Sequence, residues 1–153
     1  MTRPFLGRRR GVRIGLLGGS FNPAHAGHLH VCREALKRLR LRQIWFLVAP
    51  QNPLKPASGM ASFAERAASV AALGLPPRAR VSDLEARLGA RYTADTLKAL
   101  SRRYRGVRFV WLMGADSFAE LDRWRRWPDV FRRVVIAVFT RSSYDLRALA
   151  AKP

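Results

Sequence analysis

The sequence predicts an α/β fold: a doubly wound parallel sheet of about five strands with helices on both faces. Three observations predict it. Short apolar runs of strand length alternate with amphipathic runs of helical period, the pattern of βαβ units. The runs Val107–Met113 and Val134–Phe139 are continuously apolar, as strands covered on both faces are. The first run, Val12–Leu17, leads into Gly18–Gly19 and then a helix, and sheets of this kind hold ligands at the carboxyl ends of their strands.

Val12–Leu17 is read as the first strand. Ala26–Leu39 is a helix, with Leu29, Cys32, Leu36 and Leu39 on one face and Arg33, Lys37 and Arg40 on the other. Gln43–Val48 is the second strand. Ala49–Gly59 is a Pro-rich loop, and Ala61–Leu73 is a helix stopped by Gly74 and Pro76. A short strand is expected near Arg80–Ser82. Thr93 is expected to cap a helix over Thr93–Arg103. Val107–Met113 is the next strand, Asp116–Leu121 a short helix, and Pro128–Phe131 a helical turn with Pro at its first position. Val134–Phe139 is the last strand. Crossovers in such a sheet are right-handed.

At 153 residues the chain makes one domain with a sizeable core. No apolar stretch reaches the length of a membrane span. Residues 1–11 form a basic lead-in without the apolar segment of a secretory signal, expected to be flexible. The single cysteine, Cys32, excludes an internal disulfide and fits the cytoplasm; its helical position suggests a buried structural role. The net charge is +19, and 25 of the 29 cations are Arg. They are spread along the whole chain and few aromatics interleave with them, so a nucleic-acid partner is disfavoured. A basic surface that attracts anionic nucleotides is the milder expectation.

The segment Gly18–His28 reads G-G-S-F-N-P-A-H-A-G-H. Glycines let backbone approach a ligand closely, and the helix N-terminus beyond them suits phosphate. His25 and His28 stand at i and i+3 and so point the same way on a first helical turn. Such a pair can also bind a metal. But all three histidines fall within six residues and no Cys or carboxylate lies near them in sequence, so a third ligand is missing and no metal site is expected. Two imidazoles at one phosphate-binding spot indicate polyphosphate chemistry.

This H-x-G-H pattern resembles the signature of the nucleotidyltransferase superfamily that includes the class I aminoacyl-tRNA synthetases, whose fold is Rossmann-like. Four further segments narrow the resemblance to the bacterial nicotinate-nucleotide adenylyltransferases: P-Q-N-P-L-K at 50–55, Y-T-A-D-T-L at 92–97, L-M-G-A-D-S-F followed by L-D-R-W-R-R-W, and a strand ending in F-T-R at Arg141. The resemblance covers about Ile14 to Arg141. It implies transfer of the adenylyl group of ATP, with Mg²⁺, to nicotinate mononucleotide, giving deamido-NAD and pyrophosphate in NAD biosynthesis. It implies direct attack, without a covalent enzyme intermediate.

The resemblance also implies roles. His25, His28 and Lys55 are the catalytic residues, the histidines as hydrogen-bond donors to ATP phosphate oxygens and the lysine as a neutralising cation. Gly18, Gly19, Ser20, Phe21, Gly27, Gly114, Asp116 and Arg141 bind ATP, with Asp116 accepting from a ribose. Asn22, Tyr92, Thr93 and Trp124 bind nicotinate mononucleotide. Trp124 stacks on the pyridine ring, with Trp127 the neighbouring choice.

Three departures stand out. Leu54 replaces a frequent His, and Arg91 a frequent Ser. Nothing after Arg141 matches the family's ISSTxIR segment, which grips the ATP phosphates. The tail Asp145–Lys152 reads instead as a short helix. This implies a chain that lacks the C-terminal part of the family domain, ATP binding that is weakened, or a site completed by another chain. An open sheet edge would favour a homo-oligomer. The alternatives are a non-catalytic nucleotide-binding remnant, an RNA-binding protein, and a same-fold transferase with another phosphate acceptor.

Overall fold

A computed structural model describes residues 11–50 and 59–140. The strands are β1 (Arg13–Gly19), β2 (Gln43–Val48), β3 (Ala79–Ser82), β4 (Arg108–Gly114) and β5 (Val135–Phe139). The helices are α1 (Ala26–Arg38), α2 (Phe63–Ala71), α3 (Leu84–Leu88), α4 (Thr93–Arg103), α5 (Ala115–Ala119) and α6 (Trp127–Arg133), with a 3₁₀ turn at Leu121–Arg123. The five strands form one sheet in the order β3-β2-β1-β4-β5, and every pairing is parallel. This is the doubly wound architecture that the sequence predicts.

Alternation along the strands sends side chains to two cores. Ile14, Leu16, Trp45, Leu47, Trp111 and Met113 pack on one face with Leu97 and Leu100 of α4 and Val130 of α6. Leu17, Ile44, Phe46, Val48 and Leu112 pack on the other with Val31, Cys32 and Ala35 of α1 and Val70 of α2. The buried stripe of α1 is thus centred on Val31, Cys32 and Ala35. Leu36 and Leu39 sit partly buried at its margin, and Leu29 lies outside the core. Cys32 is fully buried, and desolvation pushes its thiol up to about 11, as suits a packing residue.

Several boundaries differ from the sequence reading, each for a local reason. Gly18 and Gly19 extend the first strand beyond Leu17: they pair with Leu47 and Val48. Val12, Val107 and Val134 flank their strands rather than join them. Thr93 is the first helical residue of α4 and not its cap; Tyr92 holds the cap position and makes no side-chain cap bond. Pro128 is the second residue of α6, since the helix starts at Trp127. The helix α3 has no counterpart in the sequence reading. It is five residues long and ends at Gly89 in the left-handed region (φ 65°), too short to show a period. The helix α2 begins at Phe63, where Ser62 and Glu65 form a capping box.

Candidate active site

The strand order reverses direction at β1 and β4, which are neighbours though their connections leave to opposite sides. Such a switch point opens a crevice at the carboxyl ends of the two strands. The residues at the end of β1 are set by packing. A Cβ on Gly18 would lie 2.6 Å from the Trp111 ring. Glycine is therefore required here by the indole beneath it, a reason the motif alone does not reveal.

After β1 the chain turns sharply. Phe21 takes a positive φ of 51° and is 2% exposed. Its ring meets His28 edge-on, with centroids 4.8 Å apart, and also touches Phe46. The Asn22–Pro23 peptide is cis. Both polar atoms of the Asn22 amide are committed locally: Nδ2 donates to the Gly59 carbonyl (2.8 Å), and Oδ1 accepts from the Ala61 N–H (2.9 Å). Asn22 thereby ties the first loop to the far end of the second.

The two histidines start α1. His25 is its N-cap, and its Nδ1 accepts the Gly27 N–H at 3.1 Å. His28, at the third helical position, accepts the His25 N–H on its own Nδ1 at 3.0 Å. This is a capping box in which two imidazoles do what Ser and Glu usually do. The geometry has a chemical consequence. A ring whose Nδ1 accepts carries its proton on Nε2, so each imidazole presents Nε2–H as a donor. The ring centroids are 3.9 Å apart with planes 32° apart, so the two donors act on neighbouring points. His30 is used differently: its Nε2 donates to the Thr140 carbonyl at 3.1 Å, fixing α1 to the end of β5.

His28 lines a cavity of about 60 Å³ together with Gly18, Gly27, Trp111, Gly114, Ser117 and Trp124. The Trp124 ring stands perpendicular to Trp111, with centroids 6.1 Å apart. Trp127 is 40% exposed and packs on Phe131 instead. Of the two tryptophans, only Trp124 borders this cavity. Gly114 is the N-cap of α5, and the exposed Asp116 lies in that helix's first turn. Asp116 is therefore not the cap.

Tyr92 and Thr93 begin α4, whose first turn carries no side-chain cap. The exposed Tyr92 ring lies 5.2 Å from the Arg125 guanidinium carbon, and Arg126 pairs with Asp95. These two arginines bind the Trp124 segment to the start of α4. The sequence reading assigned them nothing, although they sit inside the W-R-R-W motif. Arg66 and Ser69 were missed as well. Both lie on α2 and brace the loop after β1 from below. Lys55 and Arg141, with the rest of the second loop and the tail, fall outside the described residues.

Residues 16–152 match the family model described as cytidylyltransferase-like. A protein of Parvibaculum lavamentivorans named as a probable nicotinate-nucleotide adenylyltransferase is 56% identical over 138 residues, covering 90% of this chain and 69% of that one. The chain belongs to the nicotinate-nucleotide adenylyltransferase family. A second relative of that name, from Methylorubrum extorquens, is 52% identical over 141 residues, covering 92% of this chain and 76% of its own. The adenylyltransferase fold is also that of the Plasmodium falciparum nicotinic acid mononucleotide adenylyltransferase solved with NaAD. The TM-score is 0.73 at 17% identity, over 89% of this chain and 70% of that one.

Proposed function

We propose that this chain transfers the adenylyl group of ATP to nicotinate mononucleotide, releasing pyrophosphate and forming deamido-NAD. The observation that carries this reading is the histidine capping box, in which both Nδ1 atoms accept backbone N–H groups and each ring therefore carries its proton on Nε2. The names of the close relatives support the same acceptor.

In this reading a 5′-phosphate oxygen of the mononucleotide attacks the α-phosphorus of ATP in line. A P–O bond forms there as the bond to pyrophosphate breaks. His25 and His28 donate hydrogen bonds to phosphate oxygens as charge gathers on them, and the Gly18–Phe21 backbone, with Gly27 and Gly114, faces the phosphates. The chemistry is one of positioning and charge neutralisation. Lys55 and Arg141 add cations. Asp116 accepts from a ribose. Trp124 stacks on the pyridine ring beside Tyr92 and Thr93, and Asn22, whose side-chain amide ties the two loops together, belongs to the same mononucleotide site. Among the described residues no cluster of three or more imidazole, thiol or carboxylate groups could hold a metal. A divalent ion, Mg²⁺ in this reading, would arrive with ATP and would supply further charge neutralisation. No helix among the described residues is long and apolar enough to cross a membrane, and we place the reaction in the cytoplasm.

The test is pyrophosphate release by the purified chain with ATP, Mg²⁺ and nicotinate mononucleotide, with nicotinamide mononucleotide in parallel. Turnover with the nicotinate form supports the reading. Binding of the mononucleotide without turnover points to a non-catalytic nucleotide-binding protein instead. Turnover only with a different phosphate acceptor points to another transferase of this fold.

A further inference from the structure

We propose that Arg66 is a positioning residue for adenylyl transfer. It turns the Ser20–Phe21 peptide so that the Phe21 N–H is presented to the polyphosphate, and it sets a buried positive charge behind that peptide. The proposal rests on the adenylyltransferase reading above.

Arg66 lies on α2 and is 1% exposed. Its Nη1 donates to the Ser20 carbonyl at 2.9 Å and to the Ala49 carbonyl at 2.7 Å, and its Nε donates to the Ala61 carbonyl at 3.0 Å. The Phe63 ring lies 5.6 Å from the guanidinium carbon. One side chain thus gathers the residue after β1, the residue after β2 and the residue before the α2 cap Ser62. These are the start of the first loop and both ends of the second at the carboxyl edge.

Two features go beyond a simple brace. The first is charge. None of the ion pairs among the described residues involves Arg66, and its Nη2 is buried without a hydrogen-bond partner. Burying an ion without a counter-ion is costly. Three carbonyls could be bridged by neutral donors, so the charge itself calls for an anion nearby. A polyphosphate on the other side of the Ser20–Phe21 peptide would be that anion.

The second feature is direction. In a trans peptide the carbonyl and the following N–H point opposite ways. The Ser20 carbonyl is drawn to Arg66, so the Phe21 N–H points away from α2. No backbone acceptor for that N–H is found among the described residues. Phe21 also keeps a positive φ, a conformation that is uncommon for a bulky residue and clusters at ligand clamps. Ser69, one turn further on α2, accepts the Ala24 N–H at 3.0 Å and so fixes the other end of the same turn.

The experiment uses chain 1–153 and compares inorganic tripolyphosphate, ATP and adenosine as probes. Arg66→Met should weaken tripolyphosphate and ATP about ten- to hundredfold, the effect of losing a hydrogen bond to a charged group. Adenosine affinity and the KM for nicotinate mononucleotide should stay unchanged, while kcat falls. Arg66→Lys keeps the charge without the planar fork and should lie between Met and wild type. An equal loss for adenosine and tripolyphosphate, or no loss, overturns the proposal. Should the Met variant not fold, the Lys variant carries the same comparison. Independently of any variant, the Phe21 amide proton of the wild-type chain should move downfield in an NMR titration with tripolyphosphate. A Phe21 resonance that stays fixed while tripolyphosphate binds overturns the proposal too. Wild-type turnover combined with a negative result removes Arg66 alone. A wild type that neither turns over nor binds tripolyphosphate removes the adenylyltransferase reading, and this proposal with it.

Discussion

The two edges of the sheet are held together in different ways. At the amino edge the strand starts are joined by main chain: the Arg42 N–H donates to the Arg13 carbonyl, Arg108 to Val12, Gly11 to Gly106 and Ile44 to Arg78. At the carboxyl edge one main-chain join, from the Ala49 N–H to the Gly19 carbonyl, is accompanied by many side-chain bonds, from Asn22, His25, His28, Arg66 and Ser69. Main-chain joins depend little on which residues supply them. Side-chain joins depend on residue identity. The charges divide along the same line. Helices in a parallel sheet run against the strands, so their first turns lie at the carboxyl edge. There stand Glu65, Glu85, Asp95, Asp116 and Asp129, while Lys37, Arg38, Arg102, Arg103, Arg132 and Arg133 occupy last turns at the other edge. Each sign complements its end of the helix dipole. The amino edge is thus a scaffold of general physics, and the carboxyl edge is where particular residues matter.

The sharpest break in this contrast is His28→Ala. Removing one transition-state donor should cut kcat about 10²–10³-fold with the fold retained. The amino-edge change Arg42→Ala should leave steady-state kcat where it was. If both variants lose activity alike, the division of labour between the edges is wrong.

Next comes the buried carboxyl at the carboxyl edge. Desolvation raises the Glu85 pKa to about 7, against an ordinary value of 4.5, despite a hydrogen bond with Thr96. The folded state therefore holds a proton that the unfolded chain gives up. The stability this contributes is complete below about pH 4.5 and is lost as pH rises to about 7, a change on the order of 3 kcal/mol. Urea unfolding of wild type and Glu85→Gln at pH 5 and pH 8 checks it. The variant should gain on wild type only at the higher pH.

Gly18→Ala should cost about 1–3 kcal/mol, the usual penalty for overpacking, because the new methyl group meets the Trp111 ring. Thermal unfolding reads this directly. The smallest contrast is between two tryptophans three residues apart. Trp124→Ala should raise the KM for nicotinate mononucleotide by about tenfold, in line with an aromatic stack worth roughly 1–3 kcal/mol. Trp127→Ala should leave that KM close to wild type, and the reverse result would exchange their roles.

The amino edge and the strands were legible because burial on both faces writes continuous apolar runs into the sequence. The order of elements and the pairing of His25 with His28 on one helical turn were legible too. What stayed hidden was what a residue does when its partner is a backbone group. Arg66 looks like one arginine among 25 until three carbonyls surround it. The histidine spacing suggests two donors, but only the structure shows that the same rings cap their own helix. Gly18 is easily read as room for a ligand, whereas its missing Cβ is filled from within the protein by Trp111. The helix α3 escaped because five residues ended by a left-handed glycine leave too little pattern to read.

The stacking of Gly18, Trp111 and Trp124 also gives the molecule an optical property. Of its four indoles, Trp45 and Trp111 are buried, Trp127 is exposed and Trp124 is half-buried, and Trp111 and Trp124 both border the cavity beside His28. The perpendicular contact of Trp124 with Trp111 brings the two rings within easy range for excitation transfer. Any molecule entering the cavity changes the surroundings of Trp124 and of Trp111 beside it, while the buried Trp45 keeps a shielded emission, so the protein carries its own internally referenced occupancy signal in the near ultraviolet.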